Sequence, residues 1–117
     1  MTGTTLRYAA LSRGYLAGAH LNNAADLSMA SLRSADLAQA NLTNADLGDA
    51  KLEGADLSFA NLAGASLKGA NLSGASLMLA KNLTQEQLDE ACGTAPASLD
   101  RSLVHIDKPC RFVVEAR

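Results

Sequence analysis

The sequence predicts an all-β fold of the solenoid kind, a chain that turns a corner every five residues and stacks the resulting coils. Leucine returns every fifth residue from Leu27 to Leu77, and alanine stands two places before each one, as in Ala25-Asp26-Leu27 and Ala75-Ser76-Leu77. On a helix, leucines five apart step by about 140° and scatter round the cylinder, so no apolar stripe forms. In a straight strand the odd spacing throws successive leucines onto opposite faces. A uniform bend after each repeat resolves both conflicts: Ala and Leu share the inner face of a very short strand, and the other residues face out or make the corner. Stacked coils then pair through backbone hydrogen bonds about 4.8 Å apart around a leucine column lined by alanines.

The predicted core is Ala25, Leu27, Ala30, Leu32, Ala35, Leu37, Ala40, Leu42, Ala45, Leu47, Leu52, Leu57, Leu62, Leu67, Leu72 and Leu77. From Met1 to Leu21 the repeat is degenerate: Leu6, Leu11, Leu16 and Leu21 keep the spacing, and Thr4, Ala9, Gly14 and Ala19 hold the small position. Asn22-Asn23-Ala24 carries one extra residue, which a corner absorbs as a bulge. The register slips again at Ala80-Lys81-Asn82-Leu83. Thr84 followed by Gln87 reads as a capping box, so Gln85–Cys92 is expected to be a short helix closed by Gly93. Placed at the open end of the leucine column, it would plug it. Residues 98–114, with Pro109, Leu103, Val104, Ile106 and Phe112, read as extended chain partly docked on the rod. The expected organisation is a repeat domain over 1–83, a capping helix over 84–93 and an irregular tail over 94–117.

The motif Ala-(Asp/Asn/Ser/Lys)-Leu-x-x, held through eleven consecutive units, resembles the pentapeptide-repeat family over about Leu6 to Leu83. The resemblance implies a right-handed quadrilateral β-helix with about four repeats per coil and, after it, a short C-terminal capping α-helix. Residues twenty apart would then lie above one another, as Arg33 over Glu53 or Asn41 over Asn61. The tail Leu83-Thr84-x-x-Gln87-Leu88-x-x-Ala91-Cys92-Gly93 is similar to tails that follow the last coil in bacterial members of the family.

Charge and composition narrow the function classes. The net charge is −2, but Asp26, Asp36, Asp46, Asp49, Glu53 and Asp56 crowd the middle of the repeats, where the only bases are Arg33 and Lys51. No clustered basic face favours direct nucleic-acid binding. Met1 to Leu11 lacks an apolar run of leader or membrane length, which points to a soluble cytoplasmic protein. Cys92 and Cys110 are expected to be free thiols there. With His20 and His105 distant, the cysteines make no zinc site. No nucleophile motif or phosphate loop is present; Gly54, Gly64, Gly69 and Gly74 keep the five-residue period and read as corner residues. A column filled by Leu and Ala leaves no pocket. The expectation is therefore no enzyme, no cofactor and no metal.

Two surfaces remain as interaction candidates. Asp26, Asp36, Asp46 and Asp56 recur every ten residues, so four repeats per coil would set them on two opposite faces. The family includes rods that mimic duplex DNA and occupy the DNA site of gyrase, but Asp before the leucine also bonds nearby backbone at a corner, and this is the favoured reading. Phe59 and Leu79 share an outward position one coil apart with Met78 beside them, an apolar patch. Cover by Leu103, Ile106 or Phe112 of the tail is the favoured account, then a homodimer, then another protein. The leading function is a non-catalytic scaffold presenting a rigid surface to an unidentified protein partner or to its own copy. An acidic decoy for a DNA-handling enzyme such as gyrase is the alternative, and hydrolase or redox work by Cys92 or Cys110 a distant third.

Overall fold

The computed structural model describes residues 5–22 and 25–92. Over this span parallel bridges join Asp26 to Asp46 and Asp46 to Ser66, Asp36 to Asp56 and Asp56 to Ser76, and Asn41 to Asn61 and Asn61 to Lys81. The twenty-residue offset fixes four repeats per coil. Between the first coil and the second the offset is twenty-one, as in Thr5–Asp26 and Tyr15–Asp36, which takes up the extra residue between Leu21 and Ala25. Four ladders result. The first face stacks Thr5, Asp26, Asp46 and Ser66; the second Ala10, Ser31, Lys51, Asn71 and Cys92; the third Tyr15, Asp36, Asp56 and Ser76; the fourth His20, Asn41, Asn61 and Lys81.

Each corner is a tight turn. The leucine carbonyl accepts the N–H of the residue three places on, as Leu27 from Ala30 at 3.1 Å and Leu57 from Ala60 at 3.0 Å. The residue two after each leucine is left-handed, with φ between +55° at Asp49 and +72° at Gly69. A positive φ at the third position is the requirement of a type II turn. The corners also pair between coils, Gln39 N–H donating to the Ser58 carbonyl at 2.9 Å and Phe59 N–H to that of Met78 at 3.2 Å. The ladders contribute two bonds per repeat, such as Leu37 N–H to the Asp56 carbonyl at 2.7 Å and Asp56 N–H to the Ala35 carbonyl at 2.9 Å.

Inside lies one column. Every motif leucine from Leu27 to Leu77, and Leu21 above them, is at most 2 % exposed, and each motif alanine from Ala25 to Ala75 at most 4 %. Ala50, Ala55, Ala60, Ala65, Ala70 and Ala75, which keep the same register, line the column with the rest. Among the described residues none that is polar or charged is buried. Leu6, Leu11 and Leu16 of the first coil are only partly covered, having a neighbouring coil on one side.

The helix α1 runs Gln85–Glu90, two residues shorter than the sequence suggests. Thr84 accepts the Gln87 N–H at 3.2 Å and donates its own N–H to Gln87 Oε1 at 2.8 Å, a complete capping box. The helix stops early because Ala91 turns extended (φ −83°, ψ 177°) and Cys92 joins the second face as a rung beside Asn71. Leu88 is buried against the last coil. Gln87 Nε2 donates to the carbonyls of Leu62 at 2.7 Å and Ala65 at 2.9 Å, and Gly69 N–H to the Glu90 carbonyl at 2.7 Å. So α1 stands below Ser66 on the first face, where a further rung would otherwise lie. The expectation of free thiols is corrected: Cys92 is disulfide-bonded. The chain's other cysteine, Cys110, lies outside the described residues, as do Gly93 and the tail over 94–117.

Candidate interaction surface

The aspartates are placed by the coil. Asp26 and Asp46 stack on the first face, Asp36 and Asp56 on the third, one coil apart within each pair. Their side chains serve the corners. Oδ1 of Asp26, Asp36, Asp46 and Asp56 accepts the N–H two residues on, at 3.0, 3.1, 2.9 and 2.9 Å. Asn41, Asn61 and Asn71 do the same at 3.0 to 3.1 Å, so the bond needs an acceptor and not a charge. The second carboxylate oxygen of each Asp is left for other contacts. Asp26 Oδ1, the corner acceptor itself, receives one more bond, from Ser28 Oγ at 2.6 Å. The Ser28 hydroxyl and N–H, with Arg7 further off, hold the Asp26 carboxyl below its ordinary range.

Other charges lie at corners. Arg33 Nε meets Glu53 Oε2 at 3.2 Å across one coil, the single ion pair among the described residues. Arg13 continues that corner upward, and Lys51 sits on the second face beside it. Among the described residues no group of His, Cys, Asp and Glu is arranged to hold a metal ion. No helix there is long and apolar enough to cross a membrane.

The apolar patch is the corner between the third and fourth faces. Its outermost column runs Gly18, Gln39, Phe59, Leu79, all left-handed. Phe59 is 46 % exposed, Leu79 55 % and Met78 41 %. The structure thus brings Phe59, Met78 and Leu79 together, and leaves the aspartates apart on two opposite faces. Leu103, Ile106 and Phe112, read from the sequence as cover for this patch, lie outside the described residues. Tyr8 and Tyr15, at 67 % and 80 % exposure, are further large exposed groups that sequence reasoning did not single out. Arg7 stacks over the Tyr8 ring, 5.4 Å from its centre. Their signal was the degenerate first coil, where the small outer residues of later repeats are replaced.

A profile of pentapeptide repeats, eight copies long, matches residues 1–39, 24–58 and 40–77. The chain belongs to the pentapeptide-repeat family. Among solved structures this pentapeptide-repeat protein is similar to HetL of the cyanobacterium Nostoc sp. strain PCC 7120, a protein involved in heterocyst differentiation regulation. The two are 30 % identical with a TM-score of 0.56, over 89 % of this chain and 54 % of HetL. Rfr23 of the cyanobacterium Cyanothece 51142 is 36 % identical over 81 % of this chain and 63 % of its own, with a TM-score of 0.42. QnrB1, a plasmid-mediated fluoroquinolone resistance protein, is 22 % identical over 80 % and 66 %, with a TM-score of 0.37. The chain therefore spans between half and two thirds of the length of these relatives. No curated protein matches it. The family and the likeness to HetL imply that the four-sided coil described above is a right-handed quadrilateral β-helix.

Proposed function

We propose that this chain is a non-catalytic scaffold, a rigid rod whose outer side chains engage another protein. The observation that carries the reading is the corner of Phe59, Met78 and Leu79. Three large apolar side chains stand exposed together there, apart from the exposed Tyr8 and Tyr15 of the first coil. The rod supports it as a presenting frame, because every repeat is tied to the next coil through the ladders and through most of the corners. Its interior is filled by Leu and Ala and holds no polar group among the described residues, which gives chemistry no internal place to happen. HetL is involved in regulation, and a binding role for this chain is in keeping with that.

Within this reading α1 is the cap of a repeat domain over 1–83, and the protein uses no cofactor. The acidic decoy stands second, because each ladder aspartate already spends one oxygen on its own corner and asparagine replaces it freely in the later repeats. Affinity capture from lysate tests both, comparing the natural chain, Phe59→Gly/Leu79→Gly, and Asp26→Asn/Asp36→Asn/Asp46→Asn/Asp56→Asn. Loss of a partner with the first variant alone supports the scaffold. Loss of a topoisomerase or similar enzyme with the second alone makes the decoy the better reading.

A further inference from the structure

We propose that the second face of the rod, with the corners on either side of it, binds an acidic peptide lying extended along the axis. This contact goes beyond the scaffold reading, because the second face does not adjoin the corner of Phe59, Met78 and Leu79.

The bases are scattered through the sequence, and the coil gathers them. The second face stacks Ala10, Ser31, Lys51 and Asn71, none of them acidic. The corner that enters it from the first face holds Arg7 and Tyr8 at the top and Lys68 lower down, with Asp49 between. The corner that leaves it for the third face holds Arg13, then Arg33, then Glu53. Of the six bases in residues 5–83, five therefore stand on this one side against two acids, a net +3. All five are exposed. Among the described residues only Arg33 is ion-paired, to Glu53. Arg7 also acts on Asp26 of the first face, so the uncommitted charge centres on Arg13, Lys51 and Lys68. The adjoining faces are the reverse: the first carries Asp26 and Asp46, the third Asp36 and Asp56.

Width and residue type name the occupant. Between corners a side is three extended residues, as Ala30-Ser31-Leu32, about 10 Å across. A single extended chain fits that width. A duplex, whose major groove alone is about 12 Å wide, overhangs the side and brings its phosphates over the neighbouring aspartates. The upper half of the face is floored by small side chains, Ala10 and Ser31, with Ser31 Oγ 2.8 Å from Ser12 Oγ. Tyr8 stands at one edge of that floor and Arg13 at the other, and Tyr15 heads the third face just beyond; both tyrosines are exposed. Tyrosine and arginine are residue types that contacts between proteins favour, and a bare phosphate backbone has no use for the rings' apolar surface. From Ala10 to Asn71 the rungs rise about 14 Å, the length of about four extended residues.

Fluorescence anisotropy of a labelled octaglutamate with the purified full chain at low salt tests the site. The chain's net charge of −2 would by itself repel the probe, so binding reports a local face. The natural chain is expected to bind it and to lose it as salt is raised. Arg13→Gln/Lys51→Gln/Lys68→Gln is expected to weaken binding roughly tenfold or more, with an unchanged melting curve. Asn41→Asp/Asn61→Asp/Lys81→Gln lowers the net charge by the same amount on the fourth face and is expected to weaken it far less. Failure of the natural chain to bind octaglutamate into the millimolar range overturns the proposal. So does equal weakening by the two variants, which would mean attraction to charge at large. A duplex oligonucleotide that binds more tightly than the peptide would replace the acidic peptide by nucleic acid. Phe59→Gly/Leu79→Gly is expected to bind the probe as the natural chain does, so failure of the apolar corner and failure of this face are read separately.

Discussion

Leu52→Ala measures how much of this rod is held by its leucine column. Leu52 is 0 % exposed and lies at mid-rod, with Leu32 in the coil above and Leu72 in the coil below. The change deletes three carbons, worth about 2.4 kcal/mol at roughly 0.8 kcal/mol for each methylene-sized group removed from the interior. A cavity term follows, about 1–2 kcal/mol at ~24 cal/mol per Å³. It should be near its upper end here. The walls are backbone rungs held by bonds of 2.7 to 3.0 Å, such as Leu32 N–H to the Lys51 carbonyl and Asn71 N–H to the Ala50 carbonyl, and they do not collapse inward without breaking. The expected cost is about 4 kcal/mol, a fall in Tm of roughly 15–30 °C. Leu11→Ala in the partly covered first coil should cost about half as much. Guanidinium unfolding of the three proteins, extrapolated linearly, reads the difference. A cost for Leu52→Ala below about 1.5 kcal/mol, or no larger than that for Leu11→Ala, would mean that hydrogen-bonded corners and not the column hold the coils together.

Other consequences follow from the corners and the helix. Gln87→Glu keeps the acceptor that a capping box wants, and glutamate is ordinarily at home there. Here it removes the Nε2 donor from the Leu62 and Ala65 carbonyls and sets a carboxylate against them. Thermal melts should show it costing about 2–3 kcal/mol, more than Gln87→Ala, and the reverse order would deny the helix its role in closing the coil. Gly18→Ala and Gly64→Ala both place a Cβ on left-handed backbone, but only at Gly64 does that Cβ run into Asn44 Oδ1. Gly18→Ala should cost about 1 kcal/mol and Gly64→Ala about 2, with Asn44→Gly/Gly64→Ala recovering the excess. The Asp26 carboxyl is held below its ordinary value by Ser28, so it contributes stability above that ordinary value and loses it as pH falls through the lowered one. Asp26→Asn keeps the corner acceptor without the charge. The Tm gap between the natural chain and this variant should therefore narrow between about pH 6 and about pH 2.

The column was legible because a narrow interior admits few side-chain sizes. Leu fills it and Ala lines it, so the period appears directly in the sequence. The number of repeats per coil was not legible in composition, since it is set by the backbone angle of the corner. That angle shows itself in sequence only where the left-handed residue is glycine, as at Gly54 and Gly64; Ser34, Gln39, Phe59 and Leu79 adopt it with no such signal. The Asx acceptors could be read, because Asp and Asn before the leucine bond backbone two residues on by local geometry alone. The two-carbonyl contact of Gln87 could not, since it depends on which carbonyls the last coil leaves open. Helix length failed for a related reason: Gly93 looked like the stop, but pairing between Cys92 and Asn71 pulls the chain out of the helix two residues sooner. The state of Cys92 is likewise a matter of where distant chain comes to lie, which spacing does not encode.

Charge along the axis decides what the acidic band can resemble. Duplex DNA presents about one negative charge per 1.7 Å of its length, without interruption. Between Ala25 and Gly64 the rod carries six acids (Asp26, Asp36, Asp46, Asp49, Glu53, Asp56) against two bases (Arg33, Lys51), net −4 over two coils. Two coils rise about 10 Å, so locally the density approaches that of the duplex. Over residues 5–92 the six acids of the band and Glu86, Asp89 and Glu90 of α1 meet six bases, since Arg7, Arg13, Lys68 and Lys81 are added, and the net charge falls to −3 over the whole length. An enzyme that follows a duplex would meet positive charge within one coil in either direction. A band of this depth, closed above and below by cations, suits a compact contact whose orientation is fixed by charge, because opposite signs at its borders penalise any shift along the rod. That is the electrostatics of a registered protein contact, and the corner of Phe59 and Leu79 stands at the lower border of the band, where acid gives way to base.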